Sequence, residues 1–440
     1  MANPFVSVIN LGCRVNRVES DRITLELARE GFTLVDPDEA ELIIINTCAV
    51  TGEAEAKTRK AVRHALARSR KPLVLATGCA VNLHPEMLTS LSDRVIVEPS
   101  KVSVVARAAE ALGYHDEPNT QDTSALDMDA LLGRARLGVK IQDGCNNRCT
   151  YCIVWKARGP ERSVPVDSVL AQVRTAAEAG IPEVVLTGVN LGAYDGEGRG
   201  DTHVEIDELL DTILAETSIP QVRLSSLEPM DVSDRLIDAM ARSHGRVAPF
   251  LHLPVQSGST SVLERMGRPY TAEDFCALCE RIRAALPTVA LSCDVIVGFP
   301  GETEEEFEES LALAQTVGFS RMHVFRYSAR PGTPAAVAPN QVAPEVMAER
   351  SRRMRDLADT LARADAEARV GTVERVVLEQ GRWGTTGSFH RAYVADASED
   401  GPSRLVSARI TGIDASGALT CSVVDDAWCE AHGHTGEGEV

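Results

Sequence analysis

No run of about 18 apolar residues occurs in the 440-residue chain, so it offers no helix able to cross a membrane. The opening residues, MANPFVSVINLGC, lack a basic stretch ahead of an apolar core and do not read as a secretory leader. The expectation is a cytoplasmic location without membrane association, where thiols stay reduced and clustered cysteines mark metal or catalytic sites. Cations are too few for a general polyanion binder: 45 Lys and Arg stand against 64 Asp and Glu, a net charge of −19. That leaves room for a local basic face. Lys57, Arg59, Lys60, Arg63, His64, Arg68, Arg70 and Lys71 form one candidate, and Arg350, Arg352, Arg353 and Arg355 another; a solvated helix face is the other reading of each. There is no internal repeat and no disulfide framework. Hydrophobic content of 44% and charged content of 25% are those of an ordinary globular protein, long enough for two or three domains.

The first part of the chain alternates short apolar runs with helical patterns. VSVINLG (6–12), ELIIINTC (41–48) and KPLVLATGC (71–79) read as strands, and ESDRITLELAREG as a helix closed by Gly31. A small α/β domain with a parallel sheet follows from this alternation. The polar stretch His115–Asp129 reads as a linker. Six further strand–helix units begin at LGVKIQDG (137–144), EVVLTGVN (183–190), QVRLSSLEP (221–229), FLHLPVQSG (250–258), ALSCDVIVGFP (290–300) and MHVFRYSA (322–329). They predict a full or partial βα barrel whose functional residues lie at the carboxyl ends of the strands. After a helical stretch at about 344–369, residues 371–425 alternate as a small all-β barrel of four or five strands, with disorder expected from about Glu430.

Chemistry concentrates in GCNNRCTYC, where Cys145, Cys149 and Cys152 stand at C-x3-C-x2-C spacing. A closed zinc site wants four ligands, and the one other close pair, Cys276 and Cys279, lies on an amphipathic helical pattern and reads as core. Three thiolates on one loop suit a [4Fe–4S] cluster with one iron left open. Each strand of the first domain also ends in a cysteine: Cys13, Cys48 and Cys79. Parallel neighbours would present these three thiols together at one sheet edge; three buried core cysteines are the alternative.

C-x3-C-x2-C after the first barrel strand resembles the signature of the radical S-adenosylmethionine (SAM) superfamily. There the open iron chelates SAM, and electron transfer yields a 5′-deoxyadenosyl radical that takes hydrogen from unactivated C–H bonds. With a second cysteine triad ahead of it and a β-barrel behind, nearly the whole chain resembles the methylthiotransferases. The resemblance implies a mixed α/β architecture in three parts: an N-terminal methylthiotransferase domain at 3–118, a radical SAM partial βα barrel at 131–362 and a C-terminal all-β TRAM barrel at 365–428. It also implies two [4Fe–4S] clusters, an auxiliary one on Cys13, Cys48 and Cys79 and a radical one on Cys145, Cys149 and Cys152. SAM would serve as both methyl donor and radical source, and no catalytic residue beyond the cluster ligands is assigned.

LGCRVNRVESD, IINTCAVTGEAEAKTRK, DGCNNRCTYC, HLPVQSGSTSVLERMGRPYT and FRYSARPGTPAA are most similar to the branch that modifies N6-threonylcarbamoyladenosine beside the tRNA anticodon. Arg14-Val15-Asn16 fits neither the GCQMN opening of the isopentenyladenosine branch nor the GCPKN opening of the ribosomal-protein aspartate branch. Those two substrates are the rivals within the chemistry; a non-SAM iron–sulfur or zinc protein is the rival outside it. Val154-Trp155-Lys156 departs from the proline–aromatic pair usual at that place. Implied partners are the tRNA anticodon loop, an electron donor such as flavodoxin or ferredoxin, and a sulfur donor. Thr187, Gly188, Glu228, Gln256 and Gly298 are the candidate SAM contacts, with Asp294 facing the barrel mouth or an internal hydrogen bond. Arg158 and Glu161 would meet SAM or substrate, or pair at the surface. Arg382, Trp383, His390 and Arg391, with Tyr393 and Arg409, are the candidate RNA contacts of the last barrel.

Overall fold

The run LIIINT, with all six residues buried, is the middle of a five-stranded parallel sheet. The strands lie in the order Thr33–Leu34, Phe5–Asn10, Leu42–Thr47, Leu73–Gly78 and Val95–Val97. A parallel sheet covered on both faces needs near-continuous apolar strands, and these supply them. Helices Arg14–Arg29 and Val104–Leu112 cover one face around Val6, Leu42 and Ile44; helix Gly52–Leu66 covers the other around Ile43, Ile45 and Val74. Three strands were legible in the sequence. The two edge strands, of two and three residues, are too short to carry a period.

The computed structural model describes residues 3–114, 134–198 and 202–424. The expected linker at His115–Asp129 and the stretch from Glu430 lie outside them. The chain divides into two compact units. The first joins this N-terminal domain to Asp143–Glu161 and Ser328–Ala336; the second holds Gly133–Gln142, Arg162–Tyr327 and Val337–Val440.

In the second unit six parallel strands form an open barrel as two sheets of three. One sheet orders Arg136–Lys140, Glu183–Thr187 and Gln221–Leu224; the other orders Phe250–His252, Ala290–Val297 and Arg321–Arg326. The isolated bridges Val222 to Val247 and Ser226 to His252 connect them. All six strands are shorter than their apolar runs, because the chain leaves the ladder early to form strand-end loops. FLHLPVQSG contributes only Phe250–His252, and Gln256 beyond it takes a left-handed backbone, φ 71°. Helix Ala272–Ala285 carries Cys276 half-buried and Cys279 buried, as core residues do.

Five strands then close a second barrel: Val373–Gln380, Trp383–Thr386, Arg391–Val394, Leu419–Val423 and Arg404–Ile413 in order round the ring. Its attachment to the α/β barrel is built on charge. Buried Arg223 pairs with buried Glu183 (2.9 and 3.0 Å) and donates to the carbonyls of Thr386 and Gly387 (3.0 and 2.8 Å). The Phe389 ring lies 5.0 Å from that guanidinium and 4.8 Å from the Phe250 ring. The Arg223 guanidinium thus meets acceptors along its edge and an aromatic ring at its face.

Candidate functional site

Cys13, Cys48 and Cys79 follow three adjacent parallel strands, and the sheet register brings their thiols to one edge. They act on one another electrostatically: Cys13 and Cys79 both act on Cys48, and Cys13 on Cys79. The edge is tightly constrained. Gly78 has φ 102°, and a Cβ there would stand 2.5 Å from the Thr47 carbonyl oxygen. Asn16, fully buried one turn after Cys13, donates to the carbonyls of Leu11 and Thr47, both at 2.8 Å. Thr47 Oγ1 in turn donates to Thr77 and accepts from the Ala80 amide. The three cysteine-bearing loops are therefore one hydrogen-bonded body. Burial pushes the Cys48 and Cys79 thiols up, while Arg158 pulls Cys79 back. Cysteines of this kind are poor surface nucleophiles and good ligands for a cluster that supplies its own positive charge.

The second triad lies in the same unit. Cys149 is buried, and Cys145 and Cys152 are half-buried, on a loop with no helix until Val154–Arg158. Gly144 enters it with φ 75°, and a Cβ there would meet the Pro160 carbonyl oxygen at 1.9 Å. Cys145 donates its amide to Gly159, and Cys152 to Cys149, so the loop folds back on itself. Asn146 and Glu161 hold its flank: Glu161 accepts from the Asn146 amide and side chain at 3.0 and 2.9 Å. Where the sequence departs from the family pattern, the Trp155 ring sits under Arg148 at 4.3 Å and Lys156 at 5.0 Å, and Lys156 donates to Gly332. Each triad offers three thiols on a pinned backbone, which fits a cubane cluster with one iron left for another ligand.

Arg158, expected at SAM or at the surface, is instead buried between the triads' supports. It donates to Glu19 (2.7 Å), Asp143 (3.0 Å) and Asn16 Oδ1 (2.6 Å), and reaches Cys79. Lys101 joins Glu19 at 3.4 Å; burial lowers its ammonium to about 8 against the pull of that carboxylate. Two cations thus stand beside Cys79, where a thiolate-bound cluster would place negative charge. Sequence reading found the cysteines but missed Asn16, Glu19 and Lys101 as their supports.

In the other unit, Thr187, Gly188, Glu228 and Gln256 are gathered at or just beyond the carboxyl ends of the barrel strands. Thr187 is buried, and Gln142, which sequence reading missed, accepts the amides of Val189 and Asn190 at 2.9 Å and shapes the loop after Gly188. Glu228 is paired with buried Arg268. Gly298 stands apart: its space is closed by Met347, whose Cγ would lie 2.1 Å from an added Cβ, and its amide goes to Glu302.

On the C-terminal barrel, Trp383 packs against Tyr393 at 5.1 Å with Arg391 over its ring at 4.3 Å. Arg382 donates to Ala397 and approaches Glu399, and Arg409 donates to Gly371. His390 turns to Asp365 on helix Pro344–Ala368, Nε2 to Oδ2 at 2.8 Å, which gives it a bracing role there. A cavity of about 670 Å³ beside it is lined by Arg321, Arg363 and Arg391.

Residues 6–97 match the model of the Uncharacterized protein family UPF0004, and residues 139–314 that of the Radical SAM superfamily. Threonylcarbamoyladenosine tRNA methylthiotransferase MtaB of Bacillus subtilis is 35% identical over 390 residues, 85% of this chain and 85% of that protein. The tRNA-2-methylthio-N(6)-dimethylallyladenosine synthase of Novosphingobium aromaticivorans is 35% identical over 393 residues, 86% of this chain and 88% of that one. The solved radical SAM methyltransferase TsrM of Kitasatospora setae, with cobalamin and a [4Fe–4S] cluster, superposes with a TM-score of 0.54 at 16% identity. That likeness covers 76% of this chain and 77% of TsrM and is one of fold. With two cysteine triads on pinned loops, an open βα barrel, a closed terminal barrel and these relatives, the chain belongs to the radical SAM methylthiotransferases, enzymes that carry two [4Fe–4S] clusters and use SAM.

Proposed function

We propose that this methylthiotransferase acts on N6-threonylcarbamoyladenosine of tRNA and places the methylthio group at C2 of the adenine. The observation that carries the choice of base is Arg14-Val15 after the first auxiliary cysteine, where GCRVN departs from the GCQMN and GCPKN openings of the other branches. The Bacillus relative, named for that nucleoside, supports it; the Novosphingobium relative, named for dimethylallyladenosine, defines the competing substrate. Cys145, Cys149 and Cys152 would hold the cluster that supplies one-electron cleavage of SAM, and Cys13, Cys48 and Cys79 the cluster associated with the sulfur. Thr187, Gly188, Glu228 and Gln256 are the proposed SAM contacts, with Gly298 acting through backbone spacing. Arg158 and Lys101 hold positive charge at the auxiliary site.

Trp383, Tyr393 and Arg391, with Arg321 and Arg363 lining the adjoining cavity, offer ring faces and cations to an RNA loop. Arg382 takes a place at the margin of that face. The proposed partners are a tRNA anticodon loop, a flavodoxin- or ferredoxin-type electron donor and a sulfur donor, in the cytoplasm. Purified, reconstituted enzyme incubated with SAM, a reductant and tRNA carrying either nucleoside tests the reading. Methylthiolation of the threonylcarbamoyl form is expected; product only from the dimethylallyl form would overturn it.

A further inference from the structure

Inside the six-stranded barrel, three side chains that no part of the cluster chemistry uses meet on one face. Asp294 and His323 are register partners on neighbouring strands, and His252 is the register partner of Ser292. His323 Nδ1 lies 3.1 Å and His252 Nε2 3.3 Å from the same Asp294 oxygen, while His252 Nδ1 lies 2.7 Å from Ser292 Oγ. The face is the inner one. Cys293, next in the strand, is fully buried beside Cys279 of helix Ala272–Ala285, so Asp294 points the opposite way. Two residues earlier on that inner face, Phe250 and Arg321 contact Phe389 and close the floor. Side-chain exposure rises from 12% at His252 to 27% at Asp294 and 45% at His323, so the cluster opens towards the barrel interior at His323.

The hydrogen bonds fix the tautomers. A carboxylate only accepts, so both rings turn an N–H to Asp294, and His252 Nδ1 accepts from Ser292. Among the described residues nothing partners His323 Nε2, which is left as a polar atom on the open side. In a purine, C2 and the N6 substituent flank N1 on one edge, so whatever presents C2 for chemistry also brings the substituent to the barrel wall. A dimethylallyl group would cover His323 Nε2 with hydrocarbon. A threonylcarbamoyl group brings a hydroxyl and ureido N–H groups, each able to donate to it. Sites that hydrogen-bond a substrate reject analogues lacking the group far more strongly than apolar pockets reject polar ones.

We propose that His323, set by Asp294 and backed by His252, reads the threonylcarbamoyl substituent and is the specificity residue of this barrel. The inference rests on the substrate proposed above. Its test compares kcat/KM for threonylcarbamoylated tRNA with that for the same tRNA left unmodified, in wild type, His323→Phe and His323→Gln. The ratio is expected to fall about 10- to 100-fold in H323F, the scale of one lost buried hydrogen bond, and to recover in part in H323Q, whose amide oxygen can accept in the same place. If wild type prefers the modified tRNA and H323F keeps the full ratio, the inference fails alone. If both rates fall equally in H323F, His323 is structural and the inference fails as well. One zinc ion per wild-type chain, lost in H323F, would overturn it in favour of a metal site. Wild type acting only on dimethylallylated tRNA would sink the substrate reading itself.

Discussion

Asn16 and Arg158 are 142 positions apart and share a 2.6 Å hydrogen bond, and around that contact the auxiliary site is organised. Arg158 is buried with Glu19, so deleting its guanidinium takes the 2.7 Å ion pair from a buried carboxylate. Arg158→Ala is expected to cost about 3 kcal/mol in urea unfolding, with Arg158→Lys restoring part of it. A loss under about 0.5 kcal/mol would mean the network is incidental. Gly144→Ala is expected to abolish the loop cluster while sparing the auxiliary one, because its Cβ has no place beside the Pro160 carbonyl; iron should fall to about half. Asp365 gives a pH signature. Burial acts to raise its carboxyl, but hydrogen bonds from His390 and Arg369 and their charge outweigh it and hold it at about 2, below 3.8. Its stabilisation is therefore complete above about pH 4 and is lost as the pH falls from there through 2. The deficit of Asp365→Asn at pH 7 should shrink on that descent; a deficit constant with pH would contradict the account.

The cysteines were readable because each closes an apolar strand, and a strand end is a local signal. Asn16 and Glu19, inside a helical pattern, and Lys101, in the loop before helix Val104–Leu112, were not, since such a polar residue looks like a solvated one until its partner arrives from another segment. The same holds for elements. Arg350, Arg352, Arg353 and Arg355 read as a basic face, yet Arg350 is buried against Glu302 and Glu304, Arg353 takes Glu304 and Glu308, and Arg352 takes Glu349 and Asp356. Arg350 and Arg353 thus hold helix Pro344–Ala368 to the barrel through Glu302, Glu304 and Glu308. The six barrel strands, and the terminal barrel as one of four or five strands, were legible from apolar periodicity, whereas their junction was not: Arg223 carries no mark that it will be buried under Phe389. For the terminal barrel, Arg391→Ala should weaken tRNA binding at all sequences and lower the slope of log K against log salt by about one. An unchanged slope would remove Arg391 from the RNA face.

For the whole molecule, two open clusters distinguish sulfur insertion from the simpler reactions of a single one. Reconstituted protein should hold about eight irons, and about four when Cys13, Cys48 and Cys79 are replaced together by alanine. About four in the unmodified protein would make the N-terminal triad structural. The acidic surface agrees with RNA contact confined to one face, so binding should be steeply salt-dependent but weak for unrelated RNA. The most direct measurement is the nucleoside profile of tRNA, by mass spectrometry, from cells with and without this protein. The account predicts that deletion removes 2-methylthio-N6-threonylcarbamoyladenosine and leaves N6-threonylcarbamoyladenosine in its place. An unchanged level of the methylthiolated nucleoside, or loss of the dimethylallyl counterpart instead, would contradict it.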